Sequence, residues 1–330
     1  MPPAVIEAMT TYRAQLDAQE RAASTRMAAA WLDATRGLDG DMERLAMELS
    51  NAASAGRPVR RWHVLRMERY QSLMRQMGGQ LREYAPVAVE QMQQQQQLMA
   101  RWGIEHAEQL VNMQTEGITG QFNRLPISAV QNMVGNAGDG TPLGQLLRAS
   151  WGQQAPDVAG ALVRGVALGW HPSKIAQAMR QAANVPLERA IVISRTEPLR
   201  VYRTVSMESY RRSGVVDRYM RIAAKSTRTC MACIMSDGMT YPITVPFEEH
   251  VQGRCQSVPV VRGAAPIEFE RGPAWFARQD DATQRAMLGP GRYDAWQSGK
   301  FDLSDVVARV ENDTWGASLQ VRSLAELVGA

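Results

Sequence analysis

The chain has 330 residues, with 37 lysines and arginines against 33 acids and a formal net charge of +4. That length suits two or three domains and a substantial buried core. No apolar run is long enough to span a bilayer, Pro2-Pro3 and the amphipathic stretch behind them do not read as a secretory signal, and three cysteines, an odd count, argue against a disulfide framework.

Nearly all the basic residues are arginine; Lys174, Lys225 and Lys300 are the only lysines. Arginine presents a flat fork to phosphate or carboxylate, which suits nucleic acid or an acidic protein surface. A GC-rich genome would also favour arginine, so composition alone leaves the partner open.

From Val5 to about Thr115 the pattern is helical throughout. A first helix runs to Thr35 and is broken by Gly37 and Gly40. Asp41 is placed to cap a second, which ends near Gly56. Pro58 suits the first turn of a third, expected to stop at Gly78-Gly79. Leu81 to Thr115 then reads as one long helix, with the glutamines from Gln93 to Gln97 on a solvated or interfacial face. These helices carry few large apolar side chains, so residues 1–117 read as a helical arm that packs on a partner or on copies of itself. Arg57, Arg60, Arg61, Arg66 and Arg69 make a local basic patch there, either a solvated face or a DNA contact.

Gly117 and Gly120 mark a boundary, and 118–190 reads as a region of short helices. Pro126, Pro142, Pro156, Pro172 and Pro186 each sit in a first turn, and Thr141 is placed to cap the helix at Pro142. His171 reads as a cap or packing residue, since no other metal ligand is near it in sequence. Pro186 to Ser213 reads as a helix that Pro198 should kink or split. Val215 to Ala224 alternates as a strand.

All three cysteines fall in the next stretch. Cys230 and Cys233 have the spacing of a zinc knuckle, and His250 and Cys255 complete three sulfurs and one imidazole, a tetrahedral set for Zn²⁺. The other reading is a turn with ordinary buried thiols. Asp237-Gly238 is a turn signal, and Met239 to Val245 and Ser257 to Val261 are β-prone, so a small hairpin is expected to carry the knuckle. Between Arg195 and Arg228 lie nine basic residues, Arg195, Arg200, Arg203, Arg211, Arg212, Arg218, Arg221, Lys225 and Arg228, against three acids. This stretch reads as a basic surface for sequence-independent contact with DNA or a partner, whose affinity would fall with salt. Beyond it, helices are expected over Pro273–Leu288, Gly291–Gly299, Leu303–Val310 and Ser323–Val328. The fold class is therefore mainly α with a small β-hairpin and zinc-knuckle subdomain, divided as 1–117, 118–190, 191–262 and 263–330.

Four features in order resemble the phage Mu F-like minor head proteins, also called phage head morphogenesis proteins. They are Gly169 to Ala176 followed by Arg195-Thr196-Glu197; Arg228-Thr229-Cys230-Met231-Ala232-Cys233 with Asp237-Gly238; His250 with Arg254-Cys255; and a helical tail from Leu288-Gly289 onward. The family's run is His-x-x-Cys-Arg-Cys, and Gly253 stands here in place of its first cysteine. The resemblance covers about Leu125 to Leu327. It implies a low-copy protein inside a bacteriophage head, present in several copies near the portal. Its implied partners are the portal protein, other head proteins and viral DNA, in the host cytoplasm during assembly and away from membranes. It implies no catalytic activity.

Two other classes stand beside that reading. One is a sequence-independent nucleic-acid-binding zinc-knuckle protein. The other is an enzyme resembling ADP-ribosyltransferases, on the strength of Arg195 and Glu197. Those two share one predicted helix, which favours local ion pairs over the separated roles of an active site.

Overall fold

A computed structural model describes residues 3–115, 130–149, 154–312 and 315–329. The protein is mainly helical with small antiparallel sheets. Pro126 lies outside the described residues.

The first helices are α1 (Ala4–Ala34), α2 (Leu38–Ser54), α3 (Arg61–Arg66) and α4 (Glu68–Asn112). α2 starts three residues before Asp41, on Gly37 with φ 105°, a left-handed turn that suits glycine. α4 runs through Gly78-Gly79, where the sequence pointed to a break, and on through Pro86. Each helical glycine costs about 1 kcal/mol and a helical proline about 3 kcal/mol. Here Met77, Leu81, Tyr84, Ala88 and Met92 are all buried along the same helix, and that burial outweighs the local cost.

The expectation that these helices need an outside partner for their core is corrected by their packing. Met9, Leu16, Met27, Trp31, Leu45, Met92 and Leu110 are buried within the chain itself. Alanines 23, 46, 88, 100 and 107 are buried too, and small side chains let neighbouring backbones approach closely enough to enclose the few large ones. The glutamine run is split in the same way: Gln96 is fully buried, accepting from Gly135 N (2.7 Å) and donating to Asn136 O (3.0 Å), while Gln94 and Gln97 are exposed.

The chain continues with α5 (Leu143–Arg148), α6 (Gln154–Ala167), α7 (Pro172–Ala183) and α8 (Val185–Arg212). The N-cap position of α5 is Pro142, whose side chain makes no capping hydrogen bond. His171 is the N-cap of α7, its Nδ1 accepting from Ser173 N. α8 is continuous through Pro198.

Contacts divide the chain into two compact units, cut at different places from the four sequence segments. The unit made of residues 20–95 and 141–195 has an apolar core of Leu38, Met42, Leu45 and Leu49 on α2 with Val158 and Leu162 on α6 and Ile175 and Met179 on α7. Their spacing of three and four residues puts each set on one helix face. α6 and α7 meet so closely that a Cβ at Gly165 would stand 2.8 Å from Ile175.

The other unit comprises residues 1–19, 96–140 and 196–330. Its sheet has the order β2-β1-β3, from Thr240–Pro242, Val216–Ile222 and Gln256–Val261, all antiparallel, with Tyr219 opposite Tyr241 and Met220 opposite Val258. Met220 and Ile222 pack with Val5, Met9 and Leu110, while Tyr219 packs with Val111, Met207 and Tyr210. α9 (Met231–Ser236) lies between β1 and β2 in the chain. The single helix expected over Pro273–Leu288 is two, α10 (Gly272–Ala277) and α11 (Asp281–Leu288), because the Asp280 side chain accepts from Thr283 N and starts a new cap. α12 spans Pro290–Gln297. Leu303–Val306 is a 3₁₀ turn, and Val307–Val310 is not helix but strand β4, paired with β5 (Ser318–Val321). α13 (Leu324–Val328) closes the chain behind a capping box at Ser323.

Candidate metal centre

The four sequence-predicted ligands converge. Cys230 caps α9, and Cys233 follows one turn later, so the helix start directs both sulfurs the same way. Gly238, with φ 83°, turns the chain out of α9 toward β2, and its N–H donates to Arg221 O on β1 (2.8 Å). Cys255 immediately precedes β3. His250 lies on the segment before it, beside a turn in which Gln252 has φ 60° and donates its N–H to Thr196 Oγ1 (3.2 Å).

His250 Nε2 stands 3.4 Å from Cys230 Sγ and 3.3 Å from Cys233 Sγ. Ligand bonds of the usual lengths on one tetrahedral zinc ion would separate sulfur and nitrogen by about 3.6 Å. The Nδ1–H donates to Val251 O (2.9 Å), which fixes the ring and turns Nε2 toward the sulfurs. Cys230, Cys233 and His250 form one potential ligand group, and Cys233, Glu249 and Cys255 form a second that shares Cys233. The donors are therefore two overlapping triads rather than one Cys₃His quartet, and together they can hold a metal ion.

Glu249 is the member that sequence reading missed. Its Oε1 lies 3.7 Å from Cys233 Sγ and 3.3 Å from His250 Nε2, and its Oε2 accepts from Arg221 Nη2 at 2.5 Å. A Cβ at Gly253 would fall on the Glu249 carboxylate. The glycine that departs from the resembled pattern thus vacates the space that Glu249 fills. An acid next to a histidine was the available signal, and only the Gly253 backbone gives it meaning.

The electrostatics call for positive charge among these donors. The Cys233 thiol and then His250, hydrogen-bonded to Cys230, pull the Cys230 thiol down to about 5 against the effect of burial. Cys233 is pushed strongly up by its hydrogen bonds to Cys230 and Cys255 and by burial. His250 is raised to about 9 by Cys230 first and by Glu249, with burial opposing. Protons or a metal ion would meet the same demand.

Two arginines placed by sequence on a basic surface are instead the frame of this centre. Arg203 and Arg221 are only 6% and 2% exposed, so neither can meet DNA. Arg203 donates to the carbonyls of Cys255 (3.0 Å) and Gly253 (2.5 Å), pinning the ligand segment to α8. Arg221 donates to Glu248 O (2.8 Å) and Glu249, and stands 4.6 Å from the Phe247 ring. Asp237, buried and expected only as a turn residue, accepts from Ala223 N (2.6 Å) and Lys225 Nζ (3.2 Å), fastening the end of β1 to α9.

The rest of the nine are paired locally or exposed. Arg195 belongs to the other unit, where it pairs with Glu20 at 3.0 Å. Arg200 pairs with buried Glu197 at 2.7 Å, and Arg211 and Arg212 share Glu208. Arg218 and Arg228 are exposed. A cleft of about 300 Å³ adjoins the centre, bordered by Thr196, Glu197, Arg200, Glu249 and His250.

No helix among the described residues is long and apolar enough to cross a membrane. Searches of family models, curated proteins and solved structures find no match to the chain.

Proposed function

We propose that this protein is a non-catalytic structural component of a bacteriophage head, of the Mu F-like minor head kind, with a module clamped by Zn²⁺. The observation that carries the reading is the convergence of Cys230, Cys233, His250 and Cys255, the residues of the resemblance, in one partly buried cluster braced by Arg203 and Arg221. Three soft sulfurs and an imidazole favour zinc over a hard cation such as Mg²⁺, and Glu249 adds an oxygen donor. The ion would cross-link α9 to the segment before β3 and supply folding energy.

The non-catalytic part rests on how the polar groups are engaged. Glu197 and Arg200 pair with each other, and Thr196 accepts from the Gln252 backbone. Of the histidines outside the cluster, His106 is stacked at 3.7 Å on Tyr12 and His171 caps a helix. In this reading the chain acts in low copy at the portal, with the portal protein and other head proteins as partners.

Quantitative mass spectrometry of purified particles tests the assignment. The chain should be present in a fixed ratio to the portal protein, and a chain found only free in the lysate overturns it. Elemental analysis of the purified protein tests the ion separately: about one zinc per chain is expected, and a metal-free protein with an unchanged melting curve after chelation removes that part.

A further inference from the structure

A second charged surface lies wholly within the unit of residues 20–95 and 141–195. From Arg57 to Arg69 the chain carries five arginines against one acid, Glu68. α3 turns Val64 into the core and leaves Arg60, Arg61, Trp62 and Arg66 exposed. Trp62 is 56% exposed, and the Arg66 guanidinium stands 5.7 Å from its ring.

The arginines here differ from those around the metal centre. Arg69 is neutralised by Glu48 at 2.6 Å. Arg61 donates to the Pro156 carbonyl (2.8 Å), a neutral acceptor that orients the side chain without cancelling its charge. Arg61 also borders a cleft of about 430 Å³ together with Arg164 and Trp170, where Asp157 is the one acid among the described residues. Lys174 Nζ stands 4.3 Å from the Trp170 ring at the start of α7. Arg61 therefore joins the exposed arginines and Trp62 of α3 to a cleft bordered by the half-buried Trp170.

We propose that this face binds single-stranded nucleic acid without reading its sequence. A base stacks on Trp62, phosphates sit on Arg60, Arg61 and Arg66, and the strand continues toward Arg164 and Lys174. Stacking on an indole needs a base whose face is free, as in a single strand; a duplex hides those faces. A lipid surface fits less well, because a six-residue helix with Val64 turned inward offers only Trp62 and Leu65 to the acyl region. The inference does not depend on the metal centre or on the head-assembly reading.

Fluorescence anisotropy of labelled dT20 with the full chain tests it. Three phosphate contacts give a slope of about −2 in log affinity against log salt, or roughly 20-fold weaker binding from 50 to 200 mM salt. Trp62→Ala should weaken binding roughly tenfold, while Trp62→Phe, which keeps a stacking ring, should lose much less. Arg60→Gln with Arg66→Gln should flatten the slope by about 1.4. Since these side chains are exposed, melting curves should not move. The triple variant Arg211→Gln, Arg218→Gln, Arg228→Gln in the other unit should bind like the parent. Salt-independent binding, full affinity in Trp62→Ala, loss in the triple variant, or binding to phosphatidylserine vesicles but not to dT20 would each overturn the proposal.

Discussion

The helical core around Leu45 and the cluster around Cys233 are held by opposite means. The first buries leucine, isoleucine, valine and methionine on faces of α2, α6 and α7, with no demand beyond shape and apolar area. The second buries two thiols, a carboxylate and two guanidiniums beside a half-buried third thiol, where every charge needs its partner. Loss of one side chain in the first leaves a cavity. In the second it strands a charge, so the cluster should fail more sharply.

Removing a ligand is the strongest way to break this comparison. Structural zinc contributes on the order of 10 kcal/mol in small isolated domains. Cys233, which both triads share, should therefore be the costliest position, and Cys233→Ser should expose the backbone near Cys255 to hydrogen exchange while residues of the α2–α6–α7 core keep their protection. Equal loss of protection in both places would show that the contrast is unreal.

Next in size is Arg221→Leu. It leaves Glu249 buried without its cation, which typically costs about 3–5 kcal/mol. Urea unfolding should show that loss, and the variant should also bind metal more weakly because Glu249 is no longer held.

Leu45→Ala supplies the apolar counterpart. A cavity of that kind costs about 2–5 kcal/mol, and metal content should stay at the parental level. A fall in metal content with Leu45→Ala would join the two regions energetically.

The smallest effect comes from His106, which shares a unit with the cluster but is not a member. It is buried against Tyr12 and Trp102, with Tyr202 Oη 3.1 Å from Nδ1, and burial lowers its pKa to about 4. The fold holds it neutral, whereas the unfolded chain protonates it below about 6.5. Its contribution is therefore complete above that pH and is lost as pH falls toward 4. His106→Phe should flatten that part of the stability profile measured with chelator present, and an unchanged profile would refute the assignment.

Much of the architecture was legible in local patterns. Proline marked the starts of α5 and α7, glycine bracketed α12, and the alternation read over Val215 to Ala224 announced β1. Reading failed where tertiary burial opposed local preference. Gly78-Gly79 should end a helix, yet α4 continues because its flanking side chains are buried. The strand β4 was missed because Leu303–Val310 opens with a helix-like turn, and its pairing partner, β5, lies eight residues beyond β4. The basic stretch misled for another reason: a charge in a sequence carries no sign of whether it faces water, and Arg203 and Arg221 do not.

By itself the sequence determined the mainly helical class and four of the five side chains of the cluster, because a Cys-x-x-Cys turn and the short His250-to-Cys255 span act through neighbouring backbone. Tertiary structure alone decided that Glu249 joins them, that two arginines brace them, and that the early helices bury their faces inside this chain. Those outcomes depend on which surfaces meet, and the summed free energy of burying several side chains outweighs the local preference of single residues.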